Sequence, residues 1–266
     1  MTYLSLGAGV QSSALLVMSA LGLKGCPKAD FAVFADTQDE PFWVYQHLAV
    51  LAPWAEANGV PIKIVTAGRL SDETLRVPLT KRRAALPVFT EGVDGREAML
   101  PRQCTEEYKL APIRRYLRQL LGVGQRGRVK PGAVVALIGI SFDERIRISP
   151  SRRLWISNRW PLIDATMRRH DCVNLLQQHG LPVPQKSACV YCPFHDDLYW
   201  HTLKTHHSDE FQKACAFDEA VRSSSSRGVR HQVYLHRSLV PLRDVVFDVR
   251  ASFDGFGNEC SGHCGV

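Results

Sequence analysis

Thr2-Tyr3-Leu4-Ser5-Leu6-Gly7-Ala8-Gly9-Val10-Gln11-Ser12-Ser13-Ala14-Leu15-Leu16-Val17-Met18 holds the three parts that decide the fold. The apolar run over residues 2–6 predicts a strand, the small residues from Gly7 to Gly9 a loop, and the stretch from Ser12 onward a helix. Backbone amides and hydroxyls of Gly7, Ala8, Gly9, Gln11, Ser12 and Ser13 would then sit at the positive end of a helix, where a phosphate is favoured. By itself the stretch is equally well an ordinary tight turn. It has neither the Lys-Ser/Thr of a P-loop nor the third glycine of a dinucleotide-binding turn.

Working outward, Phe31-Ala32-Val33-Phe34-Ala35 predicts a second strand ending at Asp36-Thr37, and Pro41 to Ala57 a helix closed before Asn58-Gly59. Pro61 to Thr66 predicts a third strand. Residues 76–103 have no clean periodicity, carry Lys81-Arg82-Arg83, and suggest a lid-like insertion. Thr105 to Leu121 predicts a helix, and Ala133 to Ile140 a buried central strand followed by Asp143, Glu144 and Arg145. A further helix is expected from Asp164 to Gln178, closed by Gly180. An exposed loop is expected at Ser223 to Ser226, and the tail from Asp254 is rich in glycine and cysteine. Strands alternating with helices predict an α/β, Rossmann-like parallel sheet with helices on both faces and ligands at the carboxyl ends of its strands.

The 266 residues suffice for a substantial core, and 45% apolar with 22% charged residues is ordinary for a globular protein. No apolar run reaches the roughly eighteen residues of a membrane span, and the start has no basic segment of a signal peptide. The expectation is a cytoplasmic chain without a membrane partner. The net charge of +7 makes nucleotides or nucleic acid plausible partners. Eight cysteines in a reducing compartment point to thiol or metal chemistry rather than structural disulfides.

Several short motifs occur in one order: Gly7-Ala8-Gly9-Val10-Gln11-Ser12, Asp36-Thr37, Cys104-Thr105 with Lys109 and Pro112, and Gly139-Ile140-Ser141-Phe142-Asp143-Glu144 with Arg147. Trp160-Pro161-Leu162-Ile163-Asp164, Gly180-Leu181-Pro182, Cys189-x2-Cys192 and Glu259-Cys260-Ser261-Gly262-His263-Cys264 follow. Together they resemble the phosphoadenylylsulfate reductase branch of the PP-loop, or adenine nucleotide α-hydrolase, superfamily. The first loop of that superfamily usually carries aspartate where this chain has Gln11, and the reductase branch often has Gly-Ile-Gln there. The resemblance implies a HUP-type domain over residues 1–165, with 76–103 as its lid, and a C-terminal helical part over 166–266 with the CxxC and the cysteine-rich tail. It implies that Gly7, Ala8, Gly9, Gln11, Ser12, Ser13, Asp36, Thr37 and Gly139 hold an adenine nucleotide, ATP or phosphoadenylylsulfate.

Thiolates at CxxC spacing bind one metal from a single turn but need further ligands. The resemblance to iron-sulfur members implies a 4Fe-4S cluster on Cys104, Cys189 and Cys192, with a tail cysteine such as Cys264, or His195, closing it. Three thiolates with one open iron would suit sulfide binding. A zinc site of Cys189, Cys192, Cys260 and Cys264 is the rival, and unligated thiols a third possibility. Cys26, Cys172 and Cys215 lie on apolar stretches and are expected to be packing residues. Arg145 and Arg147 are candidates to grip phosphate or sulfate during catalysis, with surface salt bridges as the plain alternative. Asp143 and Glu144 would orient them or hold magnesium. Lys81, Arg82, Arg83, Arg102 and Lys109 would form a basic rim, and His206-His207 lacks ligand spacing.

Two reactions follow from the resemblance. In an adenylating sulfurtransferase acting on a nucleotide or nucleic acid, ATP activates an acceptor oxygen and sulfur from a donor replaces it. In a reductase, Cys260 attacks the sulfonyl sulfur of adenylylsulfate or its phosphorylated form and a thiol reductant releases sulfite. A non-catalytic nucleotide-binding subunit is a third reading, motivated by Gln11. The oligomeric state is open, a homodimer included.

Overall fold

The computed structural model describes residues 1–76, 86–92, 94–124, 126–223 and 232–250. Lys81, Arg82, Arg83, Ser224 to Ser226 and the tail with Cys260 and Cys264 lie outside the described residues. In chain order the elements are β1 (Thr2–Leu6), α1 (Val10–Leu21), β2 (Phe31–Asp36), α2 (Phe42–Ala57), β3 (Ile62–Thr66), α3 (Leu70–Arg76), β4 (Phe89–Glu91) and β5 (Glu97–Met99). There follow α4 (Ala111–Leu120), β6 (Val134–Ile138), β7 (Ile156–Arg159), α5 (Pro161–Asp164), α6 (Arg169–Gln178), α7 (Asp197–His206), α8 (Ser208–Ser223) and β8 (Val233–Tyr234).

Five strands form one parallel sheet in the order β3-β2-β1-β6-β7, with β1 paired to β2 on one side and β6 on the other. The pleat sends Leu4 and Leu6 to one face, where α1, α2 and α6 cover them, and Tyr3 to the other, where Ile113 and Leu117 of α4 pack. Both faces are therefore dry, as a parallel sheet requires. The first core runs on into the C-terminal part: Leu15 and Leu51 share it with Leu176, Trp200, Leu203 and Phe217. Cys26, Cys172 and Cys215 are buried in it, as expected.

Two expected helices are broken, each for a local reason. The one expected from Thr105 opens as a π-helix over Thr105–Leu110 and becomes α-helical only at Ala111. Pro112 has no N–H for the carbonyl four residues back, and the wider turn absorbs its ring. The one expected from Asp164 is interrupted at Thr166, whose φ is 52°, and restarts at Arg169. There the Arg168 backbone N–H donates to Asp171 Oδ2 at 2.8 Å, half of a capping box. The sequence did not reveal β7, nor the small antiparallel sheet β5-β4-β8. That sheet ties the described part of residues 76–103 to the C-terminal part, with Leu86, Val88 and Phe89 buried.

Candidate functional site

The chain leaves β1 toward β2 on one side of the sheet and leaves β6 toward β7 on the other. The loops after β1 and β6 diverge, and a cleft opens between them, the usual ligand position in an open α/β sheet. Its lining includes Ser5, Gly7, Gly9, Gln11 and Ser12 from the first loop, Gly139 and Arg147 after β6, Arg169 of α6, and Lys186, Cys192, Phe194 and His195 from the segment before α7.

The first loop is shaped by its backbone. Ala8 takes φ 57°, and Gly9 caps α1 with no side chain bonded to the helix amides. The first intrahelical bond runs from Ser13 N–H to Gly9 O at 3.0 Å, so the N–H groups of Val10, Gln11 and Ser12 have no partner within the helix. The Ser12 hydroxyl accepts from Gly7 N–H and donates to Gly9 O, both at 3.2 Å, holding the loop closed on itself. Ser13 faces the other way, its Oγ 2.9 Å from His47 Nε2 of α2. Burial pushes the His47 imidazole below its usual pKa. Gly139 runs so close to this loop that a Cβ there would stand 2.8 Å from Ser12 Cα and 2.9 Å from Ser12 N. Only glycine lets the end of β6 pass the loop backbone.

Positive charge is brought in by separate elements. Phe142 N–H donates to Met167 O, which ties the turn after β6 to the start of α6. Arg169 Nη1 then donates to Gln11 Oε1 at 3.1 Å, and Gln11 Nε2 is buried with no partner. Arg147 Nη1 pairs with the buried Glu144 at 2.7 Å, and the Arg169 backbone N–H donates to Asp143 Oδ2 at 3.2 Å. Burial opposes ionisation of Asp143, but hydrogen bonds from Ser141 and Arg169 outweigh it and hold its carboxyl below the usual range. Glu144 thus pairs with a guanidinium, whereas Asp143 accepts from the main chain at the start of α6. Arg145, by contrast, is exposed and lies over the Phe142 ring, outside the cleft lining. Lys186 is placed by its own backbone, whose carbonyl accepts from Trp43 Nε1 at 3.2 Å.

The cysteine end lies on the far side of the cleft. Cys192 N–H donates to Cys189 O, and His195 N–H to Cys192 O, so two successive turns set these residues. Cys192 lines the cleft. The Cys189 thiol instead packs on Thr37 Oγ1 at 3.1 Å and Glu40 Oε1 at 3.7 Å, and Lys109, carried in by the π-helix, pairs with the same Glu40 oxygen at 3.5 Å. Burial, reinforced by the Glu40 charge, pushes the Cys189 thiol well above its usual pKa. His195 Nε2 meets the Cys189 carbonyl at 2.9 Å and must donate to it, which leaves Nδ1 as a buried acceptor. Burial and then Lys186 lower its pKa well below the usual value, so the ring is neutral.

Of the expected nucleotide residues, Gly7, Gly9, Gln11, Ser12 and Gly139 line the cleft, while Ala8 and Ser13 support the loop from behind. Asp36 accepts from Gln38 N–H and Tyr45 Oη, and Thr37 belongs to the Cys189 cluster. Cys104 caps the π-helix, half-buried, and does not line the cleft. Among the described residues no group of three or more His, Cys, Asp or Glu side chains is gathered to hold a metal ion. The Cys189 Sγ packs against Thr37 Oγ1 and the Glu40 carboxylate. Cys264 lies outside the described residues, and no chemical step below is routed through a metal centre. Arg169, Lys186 and Phe194 were not foreseen, because no local motif marks them.

The fold and cleft define a Rossmann-like α/β protein with a crevice lined by arginine and lysine side chains at its sheet reversal. No family model matches the chain, and no curated protein matches it. Among solved structures it is similar to the U34-tRNA thiolase NcsA from Methanococcus maripaludis with its 4Fe-4S cluster, at 14% identity, covering 100% of this chain and 80% of that one, with a TM-score of 0.41. At this identity and score the likeness assigns this chain neither substrate nor cofactor. Among the described residues no helix is long and apolar enough to cross a membrane.

Proposed function

We propose that the cleft holds an adenine nucleotide and that the protein is an ATP-dependent, adenylating sulfurtransferase acting on a nucleotide or nucleic acid. The observation that carries this is the meeting, in one cleft, of the open α1 amides with Arg147, Arg169, Lys186 and the Cys192 side. The amides and cations suit the triphosphate. An acceptor carbonyl oxygen would attack the α-phosphorus and expel pyrophosphate. A sulfur nucleophile from a donor would then form the carbon–sulfur bond as the carbon–oxygen bond breaks and AMP leaves. Enclosure by Phe194 and His195 would keep water from competing for the adenylated acceptor.

The test is to incubate the protein with ATP, an acceptor RNA and sulfide, and separately with adenylylsulfate and a thiol reductant. AMP and pyrophosphate in the first mixture, without sulfite in the second, are expected. Sulfite without pyrophosphate would replace this reading with the reductase. ATP binding with no turnover of any acceptor would make the protein a binding subunit. The metal proposal on Cys104, Cys189, Cys192 and Cys264, iron-sulfur or zinc, is tested separately by anaerobic purification and metal analysis of the Cys104→Ala and Cys264→Ala variants. It fails if neither substitution changes the metal content.

A further inference from the structure

A second concavity lies away from the cleft, on the sheet face that α4 covers. Tyr3, Ala136 and Asn158 stand in register across β1, β6 and β7, so their side chains share that face. Ala136 is small, and α4 packs over the β1 side, so a groove of about 340 Å³ is left above β7. Tyr3, Ile113 and Ile156 supply its apolar surface. Its charged lining is Arg102, Arg114, Arg152 and Arg153 against the single acid Glu106. Arg114 is held by Glu106. Arg152 and Arg153 are exposed on the loop that leads into β7 and make no ion pair among the described residues.

The groove is connected at both ends. Arg102 reaches the other way to lie 5.7 Å from the centroid of the Phe194 ring, and Phe194 lines the nucleotide cleft. Arg114 also lines a further concavity on α4, shared with Arg115 and Arg118. The guanidinium groups of Arg102, Arg114 and the exposed Arg115 therefore run from the rim of the cleft, through the groove, to the outer surface of α4, while that of Arg118 is folded onto the Gly124 and Gly127 carbonyls. A small anion would need only one of these stations. A flat lipid surface would meet the exposed Arg152 and Arg153 but not the half-buried Arg102 and Arg114 of the same groove. A linear polyanion meets all three, and guanidinium forks are suited to its phosphodiesters.

We infer that this groove binds the sugar-phosphate backbone of a single-stranded nucleic acid whose reacting base enters the cleft beside Arg102. The inference rests on the sulfurtransferase reading for the identity of the acceptor, but the binding surface can be tested without turnover. The probe is a short fluorescein-labelled single-stranded RNA, followed by fluorescence anisotropy across a salt series in the absence of ATP. Replacing both Arg152→Ala and Arg153→Ala should weaken binding roughly tenfold, as loss of charge-assisted contacts does. The same change should flatten the dependence of log Kd on log salt by about 1.4, two phosphate contacts' worth for a single strand. Lys63→Ala with Arg243→Ala, an equal charge loss elsewhere on the exposed surface, should leave both quantities unchanged, and ATP affinity should be unchanged in both double variants.

Equal RNA affinity in the groove variant, or an equal loss in the charge-matched control, overturns the inference. So does displacement of the RNA by free pyrophosphate at the RNA's own affinity, which would assign the groove to a small anion. Groove-dependent RNA binding by a protein that never turns over ATP would sustain the inference and end the sulfurtransferase reading. Turnover of a free nucleotide with groove-independent RNA binding would do the reverse.

Discussion

The two ends of the cleft are built by different forces. At the first-loop end the backbone itself is the structure: Ala8 in a left-handed conformation, Gly9 as an open cap, and Gly139 against the Ser12 backbone. At the cysteine end side chains do the holding, as Thr37 and Glu40 from the loop between β2 and α2 and Lys109 from the π-helix surround Cys189. A backbone-built site is in place before a ligand arrives and fails when anything is added to it. A charge-built site tolerates changes of shape but fails when one partner is removed.

The largest effect is therefore expected from the smallest addition. Gly139→Ala places a methyl group under 3.0 Å from the backbone of Ser12, which no side-chain rotation relieves, and should destabilise the fold by about 3 kcal/mol. Urea unfolding monitored by circular dichroism measures it. A loss within experimental error of zero would mean that the loop yields, contrary to a rigid backbone site.

At the other end, Lys109→Met keeps much of the volume but leaves the buried Glu40 carboxylate, whose Oε2 already has no partner, without its cation. That change should destabilise by about 2 kcal/mol. Glu40→Gln on the Lys109→Met background should restore most of the loss, because the uncompensated charge is then gone. Additive losses would show that packing, rather than charge, holds this end.

A smaller effect distinguishes the ends by pH. His47, behind the first loop, is disfavoured as a cation by burial, so its folded pKa lies below the ordinary 6.5. The unfolded chain then binds more protons than the folded one as pH falls past that ordinary value, and stability is lost on acidification. Thermal melts of His47→Gln should lose less stability than the parent between neutral and mildly acidic pH. A steeper loss in the variant would reverse the sign.

The sheet and its first loop could be read from the sequence because β2 and β6 are nearly continuous apolar runs, β1 is apolar but for Thr2 and Ser5, and the loop lies between a strand and a helix in one unbroken stretch. The elements β4, β5, β7 and β8 could not, since runs of two to four residues carry no period. Gly139 was expected to lie near the first loop, but the steric reason for a glycine there becomes visible only where the end of β6 meets α1. Arg169 and Lys186 were invisible for a related reason. The first depends on the break at Thr166 that restarts α6 beside Gln11, and the second on Trp43, 143 positions away, holding the Lys186 carbonyl. The Lys109 pairing with Glu40 needed the π-turn that Pro112 forces, which a helical period does not forecast.

The central claim is that the cleft between β1 and β6 binds an adenine nucleotide, and isothermal titration of ATP into the parent, Arg169→Ala and Lys186→Ala proteins tests it most directly. The account predicts one site in the parent and roughly tenfold weaker binding in each variant, a difference of about 1.4 kcal/mol. Folded variants that bind ATP as the parent does, or a folded parent that binds none, would contradict it.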